Sequence, residues 1–83
     1  MVMFKVQRHF ENDNGKDIVW LFTNEQNAVG FFWDSVDGYE KVCGLPPQTD
    51  DYKVGFKRFL TANFKNADES YTQFSLEEVD VEG

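Results

Sequence analysis

The sequence predicts an α+β domain in which an antiparallel sheet of about three strands carries two helices on one face, in the order β-β-α-α-β. Three observations point to it. The chain begins with a period-two alternation of apolar and polar residues, followed by the turn signal NDNGKD and a second apolar run, IVWLF. Two later stretches carry apolar residues at helical spacing, and the last, ESYTQFSLEEVDVEG, alternates again. With 83 residues the chain matches one domain, 1–83, with one core. A domain this small buries only roughly 60% of its unfolded surface. Nine Phe, three Tyr and two Trp are the side chains that can make such a core efficient.

The first element is a strand over Val2–Phe10, with Val2, Phe4, Val6, Arg8 and Phe10 on one face and Lys5, Gln7 and His9 on the other. A two-residue Asn14-Gly15 turn would send Trp20 and Phe22 to the face of Gln7 and His9. A three-residue loop, Asp13-Asn14-Gly15, pairs Phe10 with Ile18, Arg8 with Trp20 and Val6 with Phe22, and so collects the large apolar residues on one face. That register is preferred, because a one-residue slip exchanges the faces of a whole strand.

Thr23 followed by Gln26 has capping-box spacing, with Glu25 in the first turn, and a helix is expected from there to the neighbourhood of VDGY. Val29, Phe32, Trp33 and Val36 form its core stripe, leaving Phe31 and Tyr39 without a core role. Pro46-Pro47 forbids helix in the connection that follows. A second helix is expected over DYKVGFKRFLTANFKNA, capped by Thr49, Asp50 or Asp51, with Tyr52, Phe56, Phe59, Leu60 and Phe64 inward and Lys53, Lys57, Arg58 and Lys65 outward. The last strand is placed beside the first, with a place beside the second as the alternative, and it needs a bulge at Glu77-Glu78 if Phe74, Leu76, Val79 and Val81 are all to point inward.

Composition excludes more than it assigns. One cysteine, Cys43, and one histidine, His9, cannot form an internal disulfide or a structural zinc site, and nothing brings the two together as a nucleophile and its base. The acidic turns ENDNGKD and DSVDGY fail as calcium loops, since the loop ends lack carboxylates. No phosphate-binding glycine pattern occurs. No metal or cofactor is therefore expected, and no enzymatic activity. The amino terminus lacks a signal-peptide pattern and the longest apolar run, IVWLF, is far short of the roughly 20 residues of a membrane helix. A soluble cytoplasmic protein with no membrane partner is expected.

Charge is the informative bulk property. Eight Lys and Arg stand against fifteen Asp and Glu, a net of −7, which repels phosphate backbones and favours a basic partner. The expected partner is a protein with a basic, nucleic-acid-binding surface, and direct nucleic-acid binding is not expected. The expected partner-binding residues are Phe31, Asp34, Asp37, Tyr39 and Glu40, together with Glu77, Glu78, Asp80 and Glu82. On a strand, alternate carboxylates stand about 6.5–7 Å apart, close to the spacing of successive phosphates. Size, acidity and aromatic content resemble the small acidic inhibitors that phages and mobile elements direct against host defence nucleases, including restriction and CRISPR effectors. The resemblance implies an anti-defence inhibitor or DNA mimic. The alternative is an interaction module that docks through an aromatic patch or a sheet edge without mimicry.

Overall fold

A computed structural model describes residues 1–11 and 17–81. Its elements are β1 (Val2–Phe10), β2 (Ile18–Phe22), α1 (Glu25–Cys43), β3 (Gln48–Val54), β4 (Lys57–Lys65) and β5 (Tyr71–Asp80). The five strands form one antiparallel sheet in the order β2-β1-β5-β4-β3, and α1 packs on one face of it. This corrects the expectation of three strands and two helices. No helix among the described residues is long and apolar enough to cross a membrane.

The second expected helix is instead the β3–β4 hairpin. Gly55, at φ 65°, opens the two-residue Gly55-Phe56 turn, a backbone region that costs glycine nothing. Leu60, Ala62 and Phe64 alternate inward and are fully buried, while Tyr52 stacks on Phe59 across the hairpin, rings 5.3 Å apart. The helical spacing that suggested otherwise depended on Phe56, which sits at the turn and is 98% exposed. Thr49, Asp50 and Asp51 therefore lie within β3 and cap nothing, and Lys53, Lys57, Arg58 and Lys65 do not share a helix face.

β1 pairs with β2 in a register that sets Val6 opposite Trp20 and Phe4 opposite Phe22. That is two residues from the expected pairing of Val6 with Phe22. A two-residue shift preserves parity, so Trp20 and Phe22 still face the core side. The Asp13-Asn14-Gly15 loop itself lies outside the described residues. β5 pairs with β1, as expected, and the register runs unbroken from Val2 opposite Asp80 to Phe10 opposite Thr72. There is no bulge at Glu77-Glu78: the unbroken register with β1 holds Val79 on the face away from α1 and Glu78 on the face toward it.

α1 begins one residue later than expected, at an Asn24 cap whose Oδ1 accepts the Asn27 N–H at 3.0 Å. It continues past VDGY to Cys43. Gly44 closes it at φ 80°, its N–H donating to the Glu40 carbonyl at 2.8 Å. Ala28, Phe32 and Val36 are its buried residues, and they meet Phe4, Val6, Leu60, Ala62, Phe64, Phe74 and Leu76 from the sheet. Trp33, expected in the core, lies at the margin and is 36% exposed. The face of the sheet opposite α1 is uncovered by the described residues.

Candidate functional site

Phe31 and Tyr39, expected as exposed contacts, both serve the interior. Phe31 packs against Trp20 and Phe22 with ring centroids 4.9 and 5.2 Å away, clamping the edge strand β2 to the helix. Tyr39 meets Phe64 edge-on at 4.9 Å and Phe74 at 5.6 Å. Its hydroxyl donates to Asn66 Oδ1 at 2.7 Å, Asn66 Nδ2 donates to Thr72 Oγ1 at 2.9 Å, and Thr72 Oγ1 closes the ring at 3.1 Å from the Tyr39 oxygen. With the Tyr39 proton committed to Asn66, the Thr72 hydroxyl proton goes to Tyr39, and all three groups are satisfied. An open pocket of about 490 Å³ lies over this ring, between Phe10, Tyr39 and Tyr71.

The expected acidic residues divide into two groups. Asp34, Asp37 and Glu40 stand exposed on α1, away from the sheet, and form no ion pair among the described residues. Spacings of three residues put neighbouring carboxylates about 5–6 Å apart at Cβ. The only base on this helix is Lys41. The β5 group is different. Glu77 lies on the uncovered face, 3.7 Å from Lys5, and Asp80 lies 3.4 Å from Lys57. Glu78 is half-buried on the α1 side, opposite Phe4. Glu78 and Asp80 thus share the α1 side of β5 instead of facing outward, with Asp80 already paired, and Glu82 lies outside the described residues.

Other acids are neutralised in place. Arg58 bridges Asp51 at 3.3 Å and Glu25 at 3.4 Å, tying β3, β4 and the start of α1 together, and its hydrogen bond to Asp51 raises its pKa further. Asp17 sits 2.7 Å from His9 Nδ1 and 2.8 Å from Gln7 Nε2, and the His9 hydrogen bond holds its carboxyl below the ordinary value.

His9 faces the uncovered side of the sheet. Cys43 is on the helix side, its thiol donating to the Lys65 carbonyl at 3.3 Å, so the sheet stands between the two. Among the described residues, no three His, Cys, Asp or Glu side chains converge as metal ligands would.

Two features had little signal in the sequence. Arg8, on the α1 side, lies 4.7 Å over the Phe10 ring and forms no ion pair among the described residues; its Nε is buried without a partner. It lines a groove of about 310 Å³ with Trp20, Ser35, Gly38 and Val42. The other feature is the difference between the sheet's two edges. β3 is exposed throughout and carries Asp50, Asp51 and Lys53, whereas β2 has no charged residue. The apolar run IVWLF reads as a strand, but edge position depends on the order of all five strands. Comparison with protein-family models finds no match, and comparisons with curated proteins and with solved structures find none either.

Proposed function

We propose that this is a non-enzymatic binding protein whose acidic helix surface occupies the basic surface of a nucleic-acid-binding protein, as a small inhibitor or nucleic-acid mimic. The observation that carries the reading is the contrast between α1 and β5. Asp34, Asp37 and Glu40 project from one rigid helix with no neutralising partner among the described residues, while Glu77 and Asp80 are already paired with lysines. In a chain of net charge −7, an unneutralised row on a helix held by Phe32, Val36 and Tyr39 presents fixed negative charge to a partner. Such charge accelerates encounter with a basic surface and gives way to screening as salt rises.

The test is capture from a bacterial lysate on immobilised protein, followed by kinetics with the captured partner. A nucleic-acid-binding protein released by modest salt and by competing duplex DNA supports the proposal. An Asp34→Asn/Asp37→Asn/Glu40→Gln variant should associate at least tenfold more slowly, with dissociation changed less. A partner retained through high salt, or unaltered association of the triple variant, overturns it.

A further inference from the structure

The two edges of the sheet are built on opposite rules. An edge strand exposes a row of backbone N–H and C=O groups that can pair with another chain, and proteins usually block this with charge, proline or a bulge. β3 follows that practice with Asp50, Asp51 and Lys53. β2, Ile-Val-Trp-Leu-Phe, has no charge, no proline and no bulge, and four of its five residues, Ile18, Val19, Trp20 and Phe22, have strong strand preference. It is also held in place: Trp20 and Phe22 are packed under Phe31 of α1. Val19 and Leu21, on the uncovered face, are 47% and 57% exposed.

We propose that β2 pairs with β2 of a second copy of this chain, antiparallel about a two-fold axis at Trp20, to make a continuous ten-stranded sheet. Absence of charge selects this edge, and self-complementarity this occupant. Two chains of net −7 repel each other over most of their surface, and a β3–β3 contact centred on Asp50 or Asp51 would set like charges against one another. Through β2, two copies meet without opposing a single strand charge. The sequence is also self-complementary about Trp20. Pairing i with 40 − i sets Val19 opposite the second copy's Leu21 and Ile18 opposite its Phe22, each pair on one face, as a two-fold contact requires. Val6 opposite Trp20 in each copy continues the core row across the axis. Both helices then lie on the same side of the joined sheet, leaving Asp34, Asp37 and Glu40 exposed in each copy. Five residues a side make a contact below the usual size of a permanent interface, so the dimer is reversible and concentration-dependent. This inference does not rest on the binding function proposed above.

Sedimentation equilibrium of the purified chain over a wide concentration range tests it. The expected mass rises from 9.7 kDa toward twice that value. A Val19→Lys/Leu21→Lys variant, altered only at exposed positions, should stay at the monomer mass while keeping its circular dichroism and a cooperative melt. Val54→Lys, on the β3 edge, should dimerise like the parent chain and serves as the control for added charge. A parent chain that remains monomeric at millimolar concentration overturns the proposal, as does a folded lysine variant that dimerises unchanged. Should the double variant fail to fold, Leu21→Lys alone is read by the same criterion.

Discussion

Tyr39 and Asn66 are joined by a 2.7 Å hydrogen bond that links the carboxyl-terminal part of α1 to the turn between β4 and β5. Because Asn66 also donates to the fully buried Thr72, the bond belongs to a closed ring. Tyr39→Phe keeps the edge-on ring contact with Phe64 but leaves Asn66 Oδ1 without that donor. Loss of about 1–3 kcal/mol is expected, read as a lower urea midpoint at constant slope. Thr72→Val should cost a similar amount, and the double variant less than the sum, since both changes open the same ring.

Phe32 and Trp33 are neighbours with opposite roles. Phe32 is fully buried and Trp33 is 36% exposed. Phe32→Ala should cost about 3–5 kcal/mol, enough to unfold much of a domain this small. Trp33→Ala should cost about 1 kcal/mol, mainly the edge contact between the two rings. Denaturant unfolding of both variants checks the order.

Two glycines of the α1 region should respond with opposite sign. Gly30 lies inside the helix, and a methyl group there meets nothing within 4 Å, so Gly30→Ala should stabilise by about 0.5–1 kcal/mol. Gly44 ends the helix at φ 80°. Gly44→Ala should therefore destabilise by about 1 kcal/mol through the left-handed backbone. Thermal melts of the two single variants distinguish the cases.

The acids proposed for binding should contribute nothing favourable to folding. Glu40 sits near the carboxyl end of α1, where the helix dipole opposes negative charge. Asp34→Asn/Asp37→Asn/Glu40→Gln should be as stable as the parent or more stable by a few tenths of a kcal/mol. A clear loss of stability in this variant would assign these side chains to the fold.

Asp17 has its carboxyl pKa held down by the His9 hydrogen bond, with Gln7 assisting. A depressed folded-state pKa favours folding above the ordinary aspartate value, and that contribution disappears as pH falls through the folded-state value. The Asp17 carboxyl is expected to titrate below ordinary aspartate in carbon-detected NMR. In His9→Ala it should return upward. An unchanged Asp17 midpoint in that variant would remove His9 as the cause.

Local pattern carried the two ends of the chain further than its middle. The alternation in VMFKVQRHF identified β1 and its core face, and the same parity placed Trp20 and Phe22 correctly despite a register two residues away. Phe32 and Val36 were legible as core residues, whereas β5 could stand beside β1 or β2 until the sheet placed it beside β1. Residues 52–65 were not, because Tyr52, Phe56, Phe59, Leu60 and Phe64 fit a helical period whereas Ala62, a small residue, hid the strand period. Gly55 was the available signal: a glycine flanked by runs rich in aromatic and β-branched residues reads equally as a hairpin turn.

The same division holds for the candidate site. Acidity, and the position of Asp34 and Asp37 on one helix, follow from composition and from a period of 3.6, both of which are local properties, whereas Glu40 joins them because α1 runs on to Cys43. Whether a carboxylate is neutralised depends on what a distant strand brings beside it, as Lys57 does for Asp80 and Lys5 for Glu77. The fate of Phe31 and Tyr39 was decided in the same way: helical spacing set Phe31 off the main stripe and the expected end of the helix left Tyr39 in the connection, and only β2 and the β4–β5 turn, arriving from elsewhere in the chain, gave them partners. Strand order likewise made β2 an edge. The charge and the helix α1 were written in neighbouring residues, while burial, pairing, edge position and the strand nature of residues 48–65 arise from long-range contacts that no local window contains.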